Sequence, residues 1–204
     1  MNWSNSVSLS TRLKKDFSTL TIALMAVAIV LNIVLGQVVS LLKLPIFLDS
    51  IGTMLVALLA GPWAGALTGL LTNLIWGLIS SPTAAAFAPV AMVIGLVAGL
   101  CAKYGLFKKW WQAILSGIIV TVALSIIAIP IRVFMFGGVT GSGADFIVAY
   151  LLATGRDLFS AVFITVIADN LIDKVVTALL AWGIVKGLPQ RFSARFSRTN
   201  QVAG

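Results

Sequence analysis

The chain has 204 residues, 60% of them hydrophobic and only 10% charged, with 14 basic side chains against 6 acidic ones. A soluble domain is about half apolar and about a quarter charged, so this composition excludes an ordinary soluble enzyme and describes one integral membrane domain with short loops. Histidine and glutamate are absent, which removes the commonest metal ligand and the commonest general base; no metal site and no cofactor are expected.

Residues 1–16 are polar and basic, with Arg12, Lys14 and Lys15. The apolar run that follows is too long for a signal-peptide core and has no A-x-A cleavage pattern, so it reads as a first span over about Phe17–Leu42. Asn32, Gly36 and Ser40 share one of its faces. A span needs about 20 apolar residues; the second, about Phe47–Ala60, is short. The third follows Gly61-Pro62, with proline at the favoured first helical position, and ends near Ser80. Along it Gly61, Gly65, Gly69, Asn73 and Gly77 recur every fourth residue and line one side of a helix, a packing device of membrane helices. The fourth span covers about Ala85–Lys103, with Ala91, Gly95 and Gly99 four apart, and places Cys101 in apolar surroundings as a packing residue. The fifth runs from about Trp110 to Phe136, with Pro130 expected to kink it.

A glycine-rich loop, 137–143, leads to a short amphipathic surface helix over about Asp145–Ala153, broken at Gly155. The sixth span is placed from about Asp169 to Lys186, with 156–168 as a helix on the outer surface; a single long helix from Arg156 is the alternative. The expected fold is therefore all-α: a six-helix membrane bundle over 17–188, flanked by a basic N-terminal segment, 1–16, and a basic tail, 189–204. With both termini cytoplasmic, Arg12, Lys14, Lys15, Lys103, Lys108, Lys109, Lys186, Arg191, Arg195 and Arg198 fall inside. Only Lys43, Arg132, Arg156 and Lys174 fall outside, as the positive-inside rule requires. Of the six aspartates only Asp16 is inside. The net charge of +8 is thus an orientation signal and not a nucleic-acid surface.

The outer charges gather in one leaflet, where the bundle would open as a cup. Asp49, Arg132 and Asp169 are ionisable groups set against apolar sequence, which marks a functional position. Asp169 and Asp173 are four apart on one helix, with Asn170 and Lys174 beside them. Asn73 is part of the glycine side and Trp76 lies next to it, and Asp145 opens the surface helix. Plainer readings stand beside these. Lys43, Arg156 and Asp157 suit interfacial anchoring; Asp173 and Lys174 suit a local pair at the water boundary. Asn32 and Gln37 suit interhelical hydrogen bonding, and Trp63, Trp110 and Trp111 an interface belt. The sequence contains no P-loop, so a transporter built on it would be a facilitator, couple to an ion, or borrow a motor. An intramembrane enzyme using Asp169 and Asp173 as a carboxylate dyad and a passive assembly subunit are the competing classes.

Over about Thr19–Phe192 the chain resembles the substrate-binding S components of energy-coupling factor (ECF) transporters. The resemblance is carried by Leu44–Gly77, LPIFLDSIGTMLVALLAGPWAGALTGLLTNLIWG, and Leu171–Leu188, LIDKVVTALLAWGIVKGL. It implies a bacterial plasma-membrane subunit that binds a vitamin or a related small solute from outside. The cup would be formed by the outer halves of spans four to six, with the 43–46 loop, Lys43-Leu44-Pro45 foremost, as a lid. It further implies docking on a separate membrane T subunit carrying two ATPases, so that this chain is not itself an enzyme. S components present an A-x-x-x-A face on the first helix; here Thr19, Ala23 and Ala26 supply a small face without alanines spaced by four. The histidine-bearing segment of metal-specific members is absent. The solute binders expected on this reading are Asp49, Asn73, Trp76, Arg132, Asp145, Asp169, Asn170 and Asp173, with Trp76 and Phe136 available to stack on a ring and a weakly negative cup favouring a neutral, zwitterionic or cationic solute.

Overall fold

A computed structural model of the chain describes residues 17–189, 191, 195 and 196; the basic segment 1–16 and most of the tail lie outside them. Among the described residues all regular structure is helical: α1 (Thr19–Leu41), α2 (Ile51–Ala60), α3 (Pro62–Ile79), α4 (Pro82–Ala86), α5 (Ala88–Lys103), α6 (Trp110–Pro130) passing into a π-helical turn (Ile131–Met135), α7 (Asp145–Ala153) and α8 (Leu158–Gly187).

The ends of these helices follow local chemistry. Ser18 caps α1, its hydroxyl accepting from the Thr21 N–H at 3.2 Å. Gly61, at φ 112°, takes a backbone conformation closed to residues with a Cβ and turns the chain between α2 and α3; Pro62 then opens α3. Asp157 caps α8 by accepting from Ser160 N–H at 3.0 Å, and that hydrogen bond, with one from the Ser160 hydroxyl, holds its carboxyl below the usual carboxylate range.

Three helical stretches are long and apolar enough to cross a membrane: Thr19–Leu41, Pro62–Ile79 and Trp110–Met135. Shorter apolar helices, α2 and α5, complete the bundle. α2 has only 10 residues, yet nine are buried; at about 1.5 Å per residue it spans about half a hydrocarbon core. It is a central peg, wrapped by α1, α3, α5 and α8. The peripheral α1 exposes Ile22, Val27, Val30, Val34, Val38 and Leu41 as a continuous apolar face, which suits lipid.

The glycine side of α3 meets the small side of α5 at backbone contact. A Cβ added at Gly95 would lie 2.2 Å from the Gly65 carbonyl, and one at Gly69 would lie 2.2 Å from the Ala91 oxygen. Asn32, fully buried, ties α1 to the two helices beside it. Its amide nitrogen donates to Thr53 Oγ1 at 2.9 Å and Thr72 Oγ1 at 3.3 Å, and its oxygen accepts from Gly52 N–H at 2.8 Å. That is the interhelical role expected of a mid-span asparagine.

Two boundaries differ from the sequence reading. The last helix does not begin at Asp169, and 156–168 is not a separate surface helix: α8 runs unbroken through 30 residues. Asp169, Asp173 and Lys174 interrupt its hydropathy but not its backbone, because each finds an ionic partner inside the bundle. The second helix starts at Ile51 instead of Phe47, because Phe47 N–H and Leu48 N–H are drawn to the Asp173 carboxylate. Pro130 marks the passage from α to π winding, and the helix continues to Met135, close to the end at Phe136 that the sequence predicts.

Candidate functional site

At one end of the bundle the helices splay around a cavity of about 370 Å³, within the range of small-molecule sites. Its apolar wall comes from Trp76 on α3, Phe87, Val90, Ala91 and Ile94 around the start of α5, Leu124 and Ala128 on α6, and Val166 on α8. Its polar wall comes from Asp49 and Ser50 before α2, Asn73, Arg132 in the π turn, and Asn170 and Lys174 on α8. Two loops complete its lining: 42–50, through Leu44, Ile46 and Phe47, and 137–144, through Thr140 to Gly143.

The wall aromatics are fixed from behind. Trp76 packs against Gly36, where an added Cβ would come within 2.6 Å of its ring, and its indole N–H donates to Gln37 Oε1 at 3.0 Å. Phe87 stacks on Phe136, ring centroids 5.8 Å apart. Phe136 therefore supports a wall ring and does not itself line the cavity.

The charges form two clusters. In the first, Arg132 is 3% exposed; its Nε donates to Gly138 O at 3.0 Å, one terminal nitrogen to Asp145 Oδ1 at 2.8 Å, and the other lies 3.8 Å from Asp169 Oδ2. Gly138 and Gly141, at φ 89° and 84°, let the 137–144 loop fold back over this arginine. The same fold directs Thr140 N–H and Gly141 N–H to the Asp145 carboxylate, at 3.1 and 2.6 Å. In the second, Lys174, 1% exposed, donates to Asp173 Oδ2 and to Ser50 Oγ at 2.9 Å, and lies 3.6 Å from Asp49 Oδ1. Asp173 Oδ1 accepts from Phe47 N–H at 3.0 Å and Leu48 N–H at 2.8 Å. Leu48 reaches this geometry at φ 51°, an uncommon conformation for a residue with a Cβ. One carboxylate thus joins a cation of the cavity wall to the backbone of the loop above it.

The loops are also joined to each other. Lys43 Nζ donates to Gly141 O at 2.6 Å, and Gly143 packs so closely on the 42–50 loop that an added Cβ would lie 2.1 Å from Lys43 O.

Of the residues singled out in the sequence, Asp49, Asn73, Trp76, Arg132 and Asn170 come together on the cavity wall, and Leu44 on its cover. Asp145, Asp169 and Asp173 do not line the cavity: each stands behind a wall cation and holds it. Pro45 is exposed at the rim, and Lys43 is a tie between loops. Thr19, Ala23 and Ala26 are all exposed on α1, well away from the cavity. Lys174 was read as a local partner for the aspartates; it is a wall residue, and buried. Its i+4 spacing from Asn170 puts both on one face of α8, a signal present in the sequence. Ser50, Phe87 and the Thr140–Gly143 segment carried no such signal, because loop closure brings them in.

Asn73 is the most informative of these. It is 5% exposed and lines the cavity, yet its side chain has no hydrogen-bond partner among the described residues. Its amide atoms are not sealed off: among the described residues the atoms buried without a hydrogen-bond partner are Asp169 Oδ2, Thr177 Oγ1 and Trp182 Nε1, and the Asn73 amide is open to the cavity it lines.

A family model described as ECF transporter, substrate-specific component, matches residues 20–185. Neither curated proteins nor solved structures yield a match to the chain. The family's substrate-specific components are membrane subunits that bind a small molecule and work with partner subunits, and they are not enzymes. A covered cavity with mixed polar and aromatic walls, set in an apolar helical bundle, accords with that role, and the chain belongs to the substrate-specific components of ECF transporters.

Proposed function

We propose that the chain captures a vitamin or a related small solute from outside a bacterial plasma membrane and delivers it inward with a T subunit and two ATPases. The observation that carries this reading is the unpartnered Asn73 amide in a covered cavity. A cavity with a polar side chain open to a ligand, and no P-loop anywhere in the sequence, suits a binder that borrows its motor. On this reading residues 17–188 form six crossings with both termini cytoplasmic. The short α2 crosses only with help from its neighbours, and α8, at about 45 Å, crosses completely. Asp49, Asn73, Trp76, Arg132, Asn170 and Lys174 contact the solute; Asp145, Asp169 and Asp173 set the two cations in place.

The 42–50 loop, with Lys43, Leu44 and Pro45 at its rim, acts as the lid, and the 137–144 loop is its counterpart. The exposed stripe containing Thr19, Ala23 and Ala26 on α1 meets the T subunit. The carboxylate-dyad reading has no support from the geometry: Asp169 and Asp173 engage different cations and neither reaches the cavity. The test is a comparison of the purified chain alone with the chain reconstituted beside a T subunit and ATPases. Alone it binds solute, seen as a raised Tm, and does not accumulate it in vesicles; with partners and ATP it does. Accumulation by the chain alone, insensitive to ATP, contradicts the proposal.

A further inference from the structure

The charge and hydrogen-bond pattern of the cavity bear on which solutes it accepts. Each cation on its wall is already held between two carboxylates: Arg132 between Asp145 and Asp169, Lys174 between Asp173 and Asp49. Two cations face four carboxylic acids, more than enough to engage both without a solute. Lys43 is the remaining nearby cation; it sits exposed at the rim on Gly141 O, where water and salt screen it. A carboxylate entering this cavity reaches Arg132 or Lys174 only by displacing a resident aspartate, and then lies against the others. The cavity is lined by cations and yet offers an anion no vacant one.

The uncharged groups add a positive requirement. Asn73 presents an N–H donor and a carbonyl acceptor side by side to the cavity, and neither has a hydrogen-bond partner among the described residues. Asn170 commits its amide nitrogen to Val166 O at 3.0 Å and Asp169 Oδ1 at 2.9 Å, and its place on the wall leaves the side-chain oxygen facing the solute. Asp49, its side chain 22% exposed, adds a further acceptor near the mouth. An asparagine side chain is matched by a group that offers an acceptor next to a donor: a carboxamide, a lactam or an amidine edge. Trp76 and Phe87, both immobilised from behind, provide flat apolar surfaces for a ring.

We propose that the cavity takes an uncharged or cationic planar nitrogen heterocycle whose edge carries a donor beside an acceptor, read by Asn73, and that it rejects carboxylates. This rests on the reading of the chain as a solute-binding subunit.

The test uses the full chain purified in detergent and matched pairs of ligands: nicotinamide against nicotinate and 4-aminopyrimidine against pyrimidine-4-carboxylate for the donor–acceptor edge, and tryptamine against indole-3-acetate for charge alone. Melting curves and calorimetric titration report binding. The neutral or cationic member is expected to bind at least about tenfold more tightly in the pairs that bind. Equal or tighter binding of the carboxylates overturns the selectivity and leaves solute capture standing; no binding in any pair overturns both. Asn73→Ala is expected to weaken the carboxamide by about tenfold with the ligand-free Tm unchanged. Should that variant fail to fold, Asp49→Asn provides the second reading, a reduced preference for tryptamine over indole-3-acetate; an unaltered preference counts against the proposal.

Discussion

At the scale of single residues, the controlling fact is that every buried charge on α8 is paired, Asp173 with its neighbour Lys174, and Asp169 and Lys174 with partners far away in sequence. Lys174 lies against Asp173 and Ser50 and within ion-pair distance of Asp49. Removing one member of a buried pair leaves an uncompensated charge, at a cost of about 3–5 kcal/mol. Lys174→Met is therefore expected to lower the melting temperature strongly, and the double change Asp173→Asn with Lys174→Met to recover part of the loss; a thermal-shift double-mutant cycle measures this. Asp173→Asn alone has a second expected effect. Its Oδ1 holds two backbone N–H groups of the lid, and a neutral amide oxygen accepts them less strongly than a carboxylate. Faster solute release, by roughly tenfold or less, is expected, and stopped-flow dissociation would detect it. An unchanged release rate separates Asp173 from the lid.

At the scale of elements, two contacts decide the geometry. One is the backbone contact of α3 with α5. Gly95→Ala places a methyl against the Gly65 carbonyl and forces the helices apart; overpacking of this kind costs about 1–3 kcal/mol. A drop in Tm on the order of 5 °C is expected, with a loosened cavity, since Ala91 and Ile94 of α5 line it. The other is the meeting of the two loops. Gly143→Ala sets a methyl against Lys43 O in a segment outside the core. The expected result is a near-native Tm with faster solute entry and exit, and increased protease cleavage within 42–50. A variant that melts early, with no change in exchange, argues that the loops are merely packed.

At the scale of the whole molecule, the cavity and the basic 104–109 loop lie at opposite ends. α5 runs from the cavity, at Val90 and Ala91, to Lys103; α6 returns from Trp110 to Ala128 and Arg132. If the positive-inside reading is correct, a cysteine at Lys43 reacts with an impermeant maleimide from outside intact cells, whereas one at Lys108 reacts only after lysis. The single native cysteine, Cys101, is buried, so background labelling is low. The reverse pattern inverts the protein and removes the proposed import. The hydropathy of the chain made most of this architecture legible: α1, α3, α5 and α6 fall close to where apolar length, Gly61-Pro62 and the basic loops place them. It failed at α8, where charged residues look like a boundary until their partners are known.

The sequence by itself determined an apolar helical bundle, the close-packed glycine side of α3, the family, and five of the side chains on the cavity wall, because periodicity and burial in lipid are local properties of the chain. Tertiary structure alone decided which charges line the cavity. Asp145, Asp169 and Asp173 were legible as important, but their role turned on Arg132 and Lys174, which line the cavity where these three do not. It also decided how the 42–50 loop is held, since the ties from Asp173 to Phe47 and Leu48 and from Lys43 to Gly141 cross about 100 residues or more of chain. Hydrogen bonds over such separations follow from how helices pack, and no local pattern encodes them.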